Sequence, residues 1–180
     1  MRNLWKSVLG LWVICMWLGV SALAQADSVG PYYATPSWDQ TLPAATRFIV
    51  LSNFASAAVL DRETGLVWEK VPSTSTSNWV NASNHCVQLS LGGRKGWRLP
   101  TIQDLASLID PTVGFPGPTL PAGHPFTVQS SGYWSATTFA NNTTFAWVVV
   151  FDFGVVFSPD KSNDIFLAWC VRGGSGVDPQ

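Results

Sequence analysis

Apolar and polar positions group and break along this chain in a way that outlines its elements. Phe48-Ile49-Val50-Leu51 and Ala57-Ala58-Val59-Leu60 are apolar runs of strand length. Asp61-Arg62-Glu63-Thr64-Gly65 interrupts them with turn chemistry, and Leu66-Val67-Trp68-Glu69 resumes the pattern, which predicts a hairpin. Pro72 breaks the chain, and the run Ser73 to Ser77 offers a helix N-cap. Trp79, Ala82, Cys86 and Leu89 then recur at three- and four-residue steps, one face of an amphipathic helix, with His85 on its exposed side and Gly92-Gly93 at its end. A second helix is predicted from Thr101, which can cap while Asp104 reaches back. Leu105, Leu108 and Ile109 form its apolar side, and Pro111 stops it.

Residues 111–131 carry five prolines and no period, so they predict a long loop that is either functional or mobile. Strand patterns return at Tyr133–Thr137, Phe145–Phe151, Val155–Phe157 (after the turn Asp152-Phe153-Gly154) and Ala168–Arg172. Strands, two helices, a long loop and more strands make an α+β domain with antiparallel sheet.

The opening of the chain follows different rules. Arg2 and Lys6 precede an apolar run of about 16 residues that ends in Ala24-Gln25-Ala26, the layout of a signal peptide over residues 1–26. The run falls short of the ~20 residues a spanning helix needs, so no stable membrane span is expected once it is cleaved. Cys15 follows Ile14 rather than a small residue, which argues against a lipid anchor. Residues 27–46 read as an irregular lead-in, 47–173 as the domain and 174–180 as a flexible tail.

Cleavage would leave 154 of the 180 residues, enough for one core, and would move the net charge from −1 to −3. No basic stretch is longer than Arg94-Lys95, which excludes nucleic acid as a natural partner. Two cysteines survive, Cys86 and Cys170. In an exported chain an even count reads as a disulfide. The other reading is a catalytic thiol beside His85, which neighbouring helical positions serve poorly because they point about 100° apart. Ser135 lacks a nucleophile elbow, His124 sits in the long loop, and no carboxylate pair marks a cleft, so an enzyme is not expected.

Several motifs together carry a resemblance. Asp61-x-x-Thr64-Gly65-Leu66-Val67-Trp68, Trp79-x-x-Ala82-x-x-x-Cys86, Gly96-Trp97-Arg98-Leu99-Pro100-Thr101, Tyr133-Trp134-Ser135, Ala146-Trp147-x-x-x-Phe151-x-x-Gly154 and Cys170-Val171-Arg172 resemble the domain-of-unknown-function 1566 family. That family includes the C-terminal domain of the Legionella collagen-like adhesin. The resemblance implies a C-type-lectin-like fold: two helices, antiparallel sheets, long irregular loops, and a cysteine of the first helix bonded to one in the last strand. Cys86 and Cys170 hold those places. It also implies a secreted, periplasmic or surface module for adhesion. Neither the Glu-Pro-Asn nor the Trp-Asn-Asp triplet of calcium-dependent lectins occurs, so calcium, though possible, has no motif behind it, and no other cofactor or metal is expected.

Trp68, Trp97, Trp134 and Trp147 are expected in the core, and Arg98 in a structural corner bonded to nearby carbonyls. Two late loops remain as candidate ligand sites. Thr138–Thr144 offers Phe139, Asn141 and Asn142; Ser158–Asp164 offers Asp160, Lys161, Asn163 and Asp164. Amides and carboxylates beside an aromatic face suit a glycan, a protein, or no ligand at all. A second expectation, from a different class, is a structural or assembly part of a bacterial envelope complex that docks through residues 27–46.

Overall fold

The computed structural model describes residues 42–173. The expected signal peptide, the expected lead-in up to residue 41 and the expected tail from 174 lie outside them. The chain runs α1 (Ala44–Arg47), β1 (Phe48–Val50), β2 (Ala58–Asp61), β3 (Val67–Glu69), α2 (Trp79–Gln88), α3 (Ile102–Ala106), β4 (Gly132–Thr138), β5 (Ala146–Val150), β6 (Val155–Phe157) and β7 (Val171–Arg172). Every strand pairing is antiparallel, in two sheets: four strands in the order β1-β2-β3-β7 and three in the order β4-β5-β6. The α+β arrangement is therefore as the hydrophobic pattern foretold, and Cys86 and Cys170 are joined in one disulfide.

The core forms around the last segment. Trp169 is fully buried and meets Trp68, Phe126, Tyr133 and Phe151 at ring separations of 5.1–5.6 Å. Its indole N–H donates to the Glu69 carbonyl, so a large apolar body is buried without an orphaned donor. A second cluster gathers Trp97, Trp134, Ala82 and the two half-cystines. The segment 166–172 serves both sheets: Leu167 exchanges backbone hydrogen bonds with the start of β4, and Val171 pairs with Trp68 on β3.

Several boundaries differ from the sequence pattern, each for a local reason. The N-cap of α2 is Asn78, whose side chain accepts the Asn81 amide, rather than the Ser/Thr run before it. Gly92 and Gly93 do not cap that helix but form the turn between Leu91 and Arg94. A Cβ on Gly92 would stand 2.6 Å from the Phe54 Cα, so only glycine fits there. Helix α3 opens with the expected capping box at Thr101 and Asp104 but ends at Ala106; Leu108 and Ile109 continue as turns instead of helix up to Pro111. Strand Ala168–Arg172 shrinks to Val171–Arg172, because residues 166–170 spend their backbone groups on three different elements. Residues 44–46, read as the end of an irregular lead-in, form a helical turn with Arg47.

The long proline-rich loop is pinned rather than loose. Thr119 donates its amide to the Phe151 carbonyl and Thr127 to that of Lys70, while Leu120 and Phe126 are buried. His124 belongs to this anchoring: its Nδ1 accepts the Phe126 amide, and burial pushes its pKa down.

Candidate functional site

The two polar loops, separated in sequence by 13 residues, lie side by side. Strands β4 and β5 converge on Thr138 and Ala146, which places the loop 139–145 at the end of the three-stranded sheet. Phe145 bridges to Asp160, and Lys161 donates its amide to the Thr144 carbonyl. The Lys161 ammonium completes the junction, donating to the Thr138 hydroxyl at 2.8 Å and the Thr143 carbonyl at 3.0 Å. It also lies 4.6 Å from the centre of the Trp79 ring, and partial burial lowers its pKa. Trp79 in turn donates its ring N–H to the Ser135 carbonyl and its backbone amide to that of Lys161. Lys161 thus ties both loops to the start of α2.

Much of the polarity foreseen for binding is spent inside the loops. Asp160 accepts the amides of Ser162 and Asn163, and Asp164 accepts the amide of Asp160. Asn142 accepts both the amide and the hydroxyl of Thr144. Those of Asp160 and Asn142 are Asx turns, in which a short side chain replaces a backbone partner. Lys161, Asp160, Asp164 and Asn142 therefore shape the surface. Asn141 and Asn163 are exposed, and their side chains have no protein partner among the described residues. Phe139 is half-buried and meets the ring of Trp147 edge-on at 5.4 Å.

That contact moves Trp147 out of the core to which its position assigned it. Ala146 and Val148 turn inward on β5, leaving the indole between them half-buried against Phe139. Trp68, Trp97 and Trp134 are buried. Arg98 sits at a corner, donating to the carbonyls of Leu99 and Gly173 and to the Asp104 carboxylate. Ser135 is fully buried, its hydroxyl donating to the Trp147 carbonyl, which leaves it no role as a nucleophile.

Three features escaped the sequence pattern. Arg47 makes a two-pronged pair with the buried Asp61 at 2.8 and 2.9 Å and a second pair with Glu63. Glu69 is 7% exposed, and burial raises its pKa to about 7 against the opposing hydrogen bond from the Cys170 amide. On the far edge of the three-stranded sheet, Val155, Val156 and Phe157 are all exposed, beside a stacked, exposed pair of Phe115 and Phe153. Strict alternation would have signalled the first of these positions, but an edge strand of three apolar residues looks the same whether covered or bare.

The described part is thus a disulfide-bridged α+β domain that presents two joined polar loops at one end of a sheet. Residues 57–172 match the Lcl C-terminal domain family, and the chain belongs to that family. No curated protein matches it. No helix among the described residues is long and apolar enough to cross a membrane.

Proposed function

We propose that this chain is an exported, non-catalytic recognition module of adhesin type, which binds a neutral glycan through the joined loops 138–144 and 158–164. One observation carries the reading: Lys161 locks together two loops that carry the exposed amides of Asn141 and Asn163, one of them also holding Phe139 against Trp147. Sugars stack their rings on aromatic faces and hydrogen-bond their hydroxyls to amides, and prearranged loops lower the ordering entropy that binding costs. Membership of the Lcl C-terminal domain family supports the adhesin class. The tie from α2 to the last strand supports a C-type-lectin-like arrangement. With one lysine against two aspartates, the loop surface suits a neutral ligand better than a polyanion.

Binding of the purified chain to a glycan array tests this. Asn141→Ala and Asn163→Ala should each weaken binding by about 1–2 kcal/mol while leaving the melting temperature unchanged. Asp164→Ala is a poor probe, since it removes a loop-forming acceptor. An array with no bound glycan, or binding indifferent to both asparagine variants, would overturn the proposal.

The bare edge strand β6 favours a second reading, a structural or assembly component of the envelope that contacts a protein. Stoichiometric association with a defined envelope protein, abolished by Val156→Lys, would select it over the first.

A further inference from the structure

The pair His85-Cys86, unpromising as adjacent residues, gains two further members from the fold. A ring nitrogen of His85, a carboxylate oxygen of Glu69 and the Cys170 sulfur lie within 4.8 Å of one another. The Cys86 sulfur is bonded to that of Cys170, which puts a second sulfur one bond away from the cluster. Three donors therefore converge from the last turn of α2, the end of β3 and the segment entering β7, with the Cys86 sulfur next to them through the disulfide. Two sulfurs, an imidazole and a carboxylate form a donor set suited to tetrahedral zinc.

We infer that the dithiol form of this chain binds one Zn²⁺ ion through Cys86, Cys170, His85 and Glu69, and that the metal and the disulfide are alternative occupants of one site. A dithiol or phosphine reductant supplies two electrons, which with two protons convert the S–S bond into two thiols; the reductant leaves as its disulfide or, with water, its phosphine oxide. Zn²⁺ then displaces the two thiol protons. In reverse, a small-molecule disulfide takes two electrons from the zinc-bound thiolates and, with two protons, leaves as two thiols, which closes the S–S bond and frees the ion.

Zinc–sulfur bonds of about 2.3 Å in a tetrahedron place the two sulfurs about 3.8 Å apart. The cysteine Cα atoms are 5.3 Å apart, so side-chain rotation suffices and the backbone need not part. Both half-cystines are fully buried while His85 is exposed, which gives the ion an entry on the imidazole side. In the disulfide form the Glu69 carboxyl accepts one long hydrogen bond, 3.4 Å from the Cys170 amide, and makes no ion pair with an arginine or lysine among the described residues. A bound metal ion would give this buried group a charged partner in its ionised form.

The test reduces the purified chain with a phosphine in the absence of oxygen and titrates it with Co²⁺, then Zn²⁺. One Co²⁺ per chain is expected, with the intense visible bands of a tetrahedral site and a thiolate charge-transfer band; one Zn²⁺ should displace it, and oxidation should release the ion. His85→Ala, at an exposed position, should weaken binding by at least the 10- to 100-fold that loss of a supporting partner costs. Circular dichroism of the reduced chain, with and without zinc, covers the case in which reduction unfolds it, since zinc should then restore the fold. The inference fails if the cobalt spectrum is octahedral, if His85→Ala binds as tightly as the parent, or if the reduced chain stays unfolded in zinc.

Discussion

Single residues show where burial sets the chemistry. Arg47 and Asp61 are both buried and hold each other in a two-pronged pair, with a further bond from the guanidinium to the Ser107 carbonyl. Removing one member strands the other in the interior. Asp61→Ala should therefore lower stability by about 3–5 kcal/mol in urea unfolding. Glu69 behaves differently, because its buried carboxyl holds a proton up to about pH 7, well above its ordinary 4.5. Tyr133 and His85 are its titratable neighbours, and burial pushes the Tyr133 phenol up to about 12. The folded form binds the Glu69 proton more tightly than the unfolded chain, so this group's contribution is full below pH 4.5 and is lost as pH rises through 7. Thermal melts should show a stability difference on the order of 2–3 kcal/mol between pH 4.5 and 8, largely absent in Glu69→Gln. Sequence alone places Asp61 in a turn because its neighbours are turn formers. It is silent on Arg47, which lies 14 positions away and is identified as a partner only when β1 pairs with β2.

At the scale of elements, the helices were the most legible part and the loops the least. The faces of α2 and α3 could be read because helical periodicity is a local property, and the Thr101–Asp104 box spans only three residues. The ends blurred because several residues near them could cap, and tertiary contacts chose among them. The candidate loops were legible as polar connections, but not as neighbours. Their contact depends on the Phe145–Asp160 bridge and on where Lys161 points, which no pattern of hydropathy encodes. Lys161→Met should keep the aliphatic contact with Trp79 while removing the donor to Thr138 and Thr143. A loss of about 1 kcal/mol is expected, together with faster amide exchange of Lys161, whose N–H bonds across the junction to Thr144. Unchanged exchange there would show that the two loops hold together without the ammonium.

For the whole molecule, the covalent bridge is the long-range constraint. It closes a segment of 84 residues, for which chain entropy gives a stabilisation of about 4.5 kcal/mol. Cys86→Ala paired with Cys170→Ala should lower the unfolding free energy measured in urea by an amount approaching that figure, less whatever the oxidised geometry costs. Cysteine count, read together with the signal-peptide layout of the opening residues, made the pairing legible in the sequence. The division into two sheets was not, since it is made by the segment 166–172, whose hydrogen bonds alternate between β4 and β3 and whose composition resembles any buried strand.

The bridge has a mechanical consequence. Because β1 and β7 are the two edges of an antiparallel four-stranded sheet, residues 42 and 173 emerge at the same end, with β1 and β7 about 14 Å apart at three strand spacings. Tension applied across those points would unzip the outer strands, yet it could lengthen only 42–86 and 170–173. At 3.3–3.6 Å per residue that is a tether of about 160 Å, against about 450 Å with the sulfurs separated. Pulled by optical tweezers, the oxidised domain should yield early and then stop short, its two polar loops still seated inside the locked section.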